Sequence, residues 1–167
     1  KNVFLSAEKG GQAGAEVVMI HESGIYVVRS GNLEGVISGN PQGRYWKQTF
    51  RDGWLLACRN YLYNPFLENK KILDVMQWEL RDMPWLPYYS FAVFGSRGTL
   101  LTTGWMGENC FALPLHALSS AVADIFRHNR RFLKERDIEM IYDRMKKLYE
   151  GQERGKIQQE KIRQSVW

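Results

Sequence analysis

Residues 29–32 read Arg-Ser-Gly-Asn, directly after the apolar run Ile25–Val28, and an acid, Glu16, precedes the neighbouring run Val17–Ile20. A turn around Glu22–Gly24 folds the two runs into an antiparallel hairpin in which His21 faces Gly24 and Glu16 faces Arg29. A three-residue loop with Gly24 in the left-handed region shifts that register by one. Because side chains alternate along a strand, Arg29 and Gly31 share one face and Ser30 takes the other. A carboxylate opposite a guanidinium sets an anion against a permanent cation, since arginine keeps its charge at any ordinary pH. Such a pair either occupies a pocket or is an exposed cross-strand contact worth a few tenths to about 1 kcal/mol.

Other chemistry has less support. Ser30 has no base or orienting acid near it in sequence, and His21, His116 and His128 are far apart with no acid at metal-site spacing. His21, beside Glu22 at the hairpin turn, is at most a substitute ligand. Arg44, Tyr45, Trp46, Lys47 and Gln48 interleave bases with aromatics, a mixture that holds a phosphate backbone while stacking on bases. The plainer alternative is an amphipathic edge strand with one aromatic in the core. Arg130 and Arg131 lie in the densest basic cluster, RHNRRFLKER, and either dock on phosphates or form a hydrated connection between helices. Glu68 and Lys71 read as surface charge. Trp54, Trp78, Trp85 and Trp105 share no face and read as packing groups.

The elements that must position these groups follow from the patterning. Strand-like runs occupy 2–5, 16–21, 25–29, 34–38 and 45–50, separated by glycine-rich turns, and the runs VVMI and IYVV are apolar enough to be covered on both faces. The run containing Arg44–Gln48 is expected beside the hairpin. Asn64 is an N-cap with Pro65 at the first helical position, and Ile72, Val75, Met76 and Leu80 form one stripe ending at Pro84 and Pro87. A buried strand, YYSFAVF, follows, then one or two short strands within 98–112. Leu115, Leu118, Val122, Ile125 and Phe126 mark a second helix, and Ile138, Ile141, Met145 and Leu148 a third. This order predicts an α/β fold: a central mixed sheet flanked by helices.

With 167 residues, 44% of them apolar, one core and one domain are expected over 1–149. Residues 150–167 are polar and basic, with two glycines that should interrupt a helix, and read as a tail or the start of a linker. Lysine and arginine outnumber acids 23 to 18, which suits an anionic partner without requiring one. Cys58 and Cys110 form no disulfide framework or metal cluster, consistent with a reducing, cytoplasmic setting. No apolar run reaches the roughly 20 residues a membrane span needs. Membrane attachment would therefore come from a segment ahead of Lys1.

The stretches EVVMIHESGIYVVRSGNLEGVISG, RYWKQTF, YNPFLENKKI and PYYSFAVF, in that order, resemble the nuclease-related domain, NERD, grouped with the PD-(D/E)xK nucleases. The resemblance runs from about residue 15 to residue 149, with HESGIYV, YWKQ and YNPFLEN its most specific pieces. It implies a restriction-endonuclease-like fold with an acid on one central strand and Glu-x-Lys on the next. The two carboxylates would hold Mg²⁺ against the scissile phosphate while the lysine orients water. The family's opening helix has no counterpart here, and an upstream helix is expected in the whole protein.

At the corresponding positions this sequence has Glu16 for the first acid, then Arg29, Ser30 and Gly31 for Glu-x-Lys. Arg29 reverses the sign of the metal ligand and Gly31 removes the lysine. The expected function is thus a degenerate nuclease domain, without cofactor, that binds nucleic acid or other domains within a larger bacterial protein. The alternatives are an active Mg²⁺-dependent phosphodiesterase in which Glu16 is joined by Glu22 or Glu34, and a purely structural module.

Overall fold

The structure is a computed structural model that describes the backbone of residues 3–7, 16–52, 56–101, 103–107 and 109–164. Side chains are described for these except 3–7, 16, 52, 56–57, 105, 149 and 151–164. In chain order the elements are β1 (Val3–Ala7), β2 (Glu16–His21), β3 (Gly24–Gly31), β4 (Gly35–Ser38), β5 (Tyr45–Asp52), β6 (Leu56–Tyr63) and α1 (Pro65–Glu79). There follow β7 (Tyr88–Phe94), β8 (Gly98–Leu100), β9 (Gly104–Gly107), β10 (Cys110–Pro114), a short 3-10 turn, α2 (Leu118–His128) and α3 (Glu135–Gln164).

The apolar runs that lack polar alternation become the middle of a mixed six-stranded sheet, ordered β1-β2-β3-β7-β10-β9. β3 pairs antiparallel with β2 and parallel with β7, so both its edges are used and both its faces are covered. On one face Val18, Ile20, Ile25 and Val27 pack against Met76 and Leu80 at the end of α1 and Ile138 and Ile141 of α3. On the other, Tyr26, Phe91 and Leu113 pack under Ile125 of α2. Each such side chain contributes about 1.5–3 kcal/mol when fully buried, so this two-sided core is what fixes the sheet. The chain is an α/β protein. Val75 and Leu115, assigned to apolar stripes by spacing, are instead exposed.

A second, four-stranded sheet, ordered β6-β5-β4-β8, shares a smaller core of Ile37, Trp46, Phe66 and Phe94 with β7 and the start of α1. Here the structure departs from the sequence expectation. The strand holding Tyr45–Gln48 is the interior β5, flanked by β4 and β6 with Arg44 just before it, and does not lie beside the hairpin. Its partner β6 was not expected, because Cys58, Arg59 and Asn60 break its apolar pattern. α3 also continues through Gly151 and Gly155 to Gln164. Each glycine costs about 1 kcal/mol relative to alanine, and the surrounding Gln, Glu, Lys and Arg favour helix. No helix among the described residues is long and apolar enough to cross a membrane.

The hairpin turn is a two-residue one, with His21 opposite Gly24. Gly24 has φ of +140°, and a Cβ there would meet the Pro87 carbonyl oxygen at 2.5 Å, so no other residue fits. Ser23 Oγ lies between His21 Nδ1, at 2.6 Å, and the Tyr26 hydroxyl, at 2.7 Å. Burial pushes the Tyr26 phenol up to about 12. The Ser23 amide donates to His21 Nδ1, and the imidazole stacks on Phe126 at 3.6 Å, an arrangement suited to the neutral ring. Burial holds the His21 pKa below its ordinary 6.5, against the opposing pull of Glu22. The folded state therefore binds fewer protons than the unfolded chain in this window, and stability falls as pH drops below about 6.5. Melting temperatures measured from pH 8 to pH 5 should decline, with a flatter profile for His21→Gln. Equal slopes would remove His21 as the cause.

Candidate functional site

The C-terminal half of β3 ends in a cleft whose contents are set by α1. Asn64 starts that helix by accepting the Phe66 amide on Oδ1 at 2.9 Å, and Pro65 takes the first helical position. The first turns then carry Glu68 and Asn69 over β3 and β7.

Asn69 is fully buried. Its Nδ2 donates to Ser90 Oγ at 3.0 Å, to the Phe91 carbonyl at 3.1 Å and to the Val27 carbonyl at 3.4 Å, bridging the two central strands. Its Oδ1 is left to accept Arg29 Nε at 3.3 Å. Arg29 Nη1 lies 3.3 Å from Glu68 Oε2, with side-chain exposures of 11% and 35%. The guanidinium is thus fixed by an amide behind it and a carboxylate beside it. The cleft measures about 190 Å³ and is lined by Arg29, Ser30, Gly31, Trp46, Tyr63 and Glu68 among others.

Glu16 stands opposite Arg29 in the β2–β3 register, as the sequence predicted. Its side chain, and with it the expected contact to Arg29, lies outside the described residues. At Gly31 an added Cβ would meet Phe94 and Leu33 at 3.6–3.7 Å, ordinary contact, so the backbone there accepts a Cβ.

The remaining predicted residues lie elsewhere. Glu22 occupies the hairpin turn, at the far end of β2 from Glu16, roughly 20 Å away at the usual strand rise of ~3.3 Å per residue. There its carboxylate pairs with Arg131 Nε at 3.1 Å and its carbonyl accepts the Phe132 and Leu133 amides. Arg130 is exposed beside Arg131, so this basic cluster belongs to the opposite end of the hairpin from Arg29. Glu34 is exposed beyond β3, and its carbonyl accepts the buried Gln48 amide at 2.9 Å. Gln48 is therefore used within the second sheet, while Arg44 and Lys47 lie towards that sheet's exterior.

His116 and His128 are exposed, and among the described residues no three His, Cys, Asp or Glu side chains gather. Neither Cys58 nor Cys110 is in a disulfide among the described residues. Trp78 and Trp85 are exposed, whereas Trp54 and the Trp105 side chain lie outside the described residues.

Asn69, which helps complete the site, was missed by sequence reasoning, and Glu68 was read as surface charge. The available signal was their place in the first turns after a strong N-cap, where a helix end points its side chains at the neighbouring strands.

The family model for the nuclease-related domain, NERD, matches residues 1–95. All four stretches that carry the resemblance fall within that span. An uncharacterized protein of Bacillus anthracis is 28% identical over 99 residues, covering 59% of this chain and 43% of the relative. The chain thus spans less than half the length of that curated relative. No solved structure matches.

Proposed function

This chain belongs to the nuclease-related domain family, and from that premise we propose that it binds nucleic acid without cutting it, as a module of a larger bacterial protein. The observation that carries this reading is Arg29, held at the cleft by Asn69 and Glu68 on the strand where the family pattern calls for a metal-binding carboxylate.

The donor set does not fit a divalent cation. Mg²⁺ needs several hard oxygens in near-octahedral geometry, and here a permanent cation lies against the described carboxylate of the cleft. Gly31 supplies no ammonium to orient water. Glu22, one substitute acid, is at the other end of the hairpin. What remains is a nuclease-like scaffold with a net positive chain, suited to contact with phosphates.

The test is to incubate the protein with labelled single- and double-stranded DNA and RNA in Mg²⁺, Mn²⁺ or chelator. Retention that survives the chelator and weakens with salt, without shortened products, is the expected result. Metal-dependent cleavage would overturn it in favour of a phosphodiesterase using Glu16, and no interaction would leave a purely structural module.

A further inference from the structure

The outer face of the second sheet gathers exposed aromatic and basic side chains. In the β5–β6 register Tyr45 faces Tyr63, Lys47 faces Tyr61 and Thr49 faces Arg59. Trp46 and Gln48 are buried on the inner side, so alternation turns these pairs, together with Arg51, outward. Tyr61 is 68% exposed and Tyr45 53%, which is far from the usual state of a large aromatic side chain.

Cations accompany the rings. The Arg44 guanidinium lies 5.5 Å from the Tyr45 ring centre and Lys71 Nζ 5.2 Å from that of Tyr63. The outward positions of β4, β5 and β6 hold no aspartate or glutamate at all. Tyr45 and Tyr63 meet edge to face at 6.1 Å, and Tyr63 also lines the cleft above Arg29, so this face runs into the candidate site.

We propose that this face is a platform for single-stranded nucleic acid, with Tyr45, Tyr61 and Tyr63 stacking on bases and Lys47, Arg51 and Arg59 neutralising the backbone. The inference rests on the nucleic-acid reading above and names its surface and substrate class. Charge complementarity selects a polyanion, and the flat exposed rings select unpaired bases, which a duplex hides in its stack. A lipid surface fits less well. Interfacial binding buries leucine, phenylalanine or tryptophan, and the apolar outward residue among the strands' described side chains is Val36.

The experiment is fluorescence anisotropy of a labelled oligothymidylate, with a duplex of equal length and anionic phosphatidylserine vesicles as competitors. Wild-type protein should prefer the single strand. Tyr61→Ala and Tyr63→Ala should each weaken binding about tenfold, the typical value of one base–aromatic stack. Tyr61→Phe should retain affinity, because the ring and not the hydroxyl carries the contact. Arg51→Ala and Arg59→Ala should each reduce the salt dependence by about one phosphate contact.

Unchanged melting temperatures would show that the exposed substitutions leave the fold intact. If wild type binds single strands but the tyrosine variants bind equally well, or if duplex or vesicles compete better, this assignment is wrong while binding itself stands. If wild type binds no nucleic acid, the module reading falls and this one with it.

Discussion

Replacing Asn64 by alanine lowers stability by about 4 kcal/mol, combining loss of an N-cap with buried carbonyls left without donors. The side chain is fully buried and every polar atom is engaged. Its Nδ2 faces the carbonyls of Gly43 at 2.6 Å, Pro41 at 2.7 Å and Asn40 at 3.3 Å, while Oδ1 caps α1. One amide therefore ties the 40–43 turn to the start of the helix that carries Glu68 and Asn69. For a domain of this size the melting temperature should fall by about 8–16 °C.

Asn64→Asp separates the two roles. It keeps the cap acceptor and suits the helix N-terminus, yet it has no donor for the turn and sets a carboxylate against three carbonyl oxygens. Chemical denaturation should show it to be as damaging as alanine. If both variants stay within about 1 kcal/mol of wild type, below the typical range for a buried polar loss, the turn is not held by this amide.

What could be read from the sequence is largely what depends on neighbours in the chain. The β2–β3 register followed from the hairpin turn, whose short loop leaves few alternatives, and Asn64 with Pro65 announced α1 because capping is a local demand. Non-local pairings were not legible. β6 has too mixed a sequence to stand alone as a strand, and it exists because β5 offers it eight opposed residues. The position of β5 in a second sheet depends on β4 pairing in parallel with β8, about sixty residues later in the chain. The site shows the same division. Arg29 and Gly31 stood out against the Glu-x-Lys that the family resemblance implies, whereas Glu68 looked like surface charge until the helix was laid across the sheet.

Changing Arg29 to glutamate should destabilise the domain by about 3 kcal/mol, at the lower end for breaking a largely buried pair because Glu68 is partly exposed. The new carboxylate would face Asn69 Oδ1, an acceptor, and Glu68, a like charge. A divalent cation relieves both conflicts, so the variant's stability should rise with added Mg²⁺, by about 2.7 kcal/mol at a hundred times its dissociation constant. Arg29→Glu combined with Gly31→Lys should fold as well, since a Cβ at position 31 makes only ordinary contacts.

Wild type and Arg29→Met serve as comparators, because neither adds an anion, and their melting temperatures should not respond to Mg²⁺ beyond the general effect of salt. The response separates an electrostatic cause from a steric one. If the cleft also needs a carboxylate at position 29 to hold a cation, the glutamate variant gains a cation-dependent stability that methionine does not. Should neither variant respond, the charge of Arg29 is not what distinguishes this cleft from a metal site.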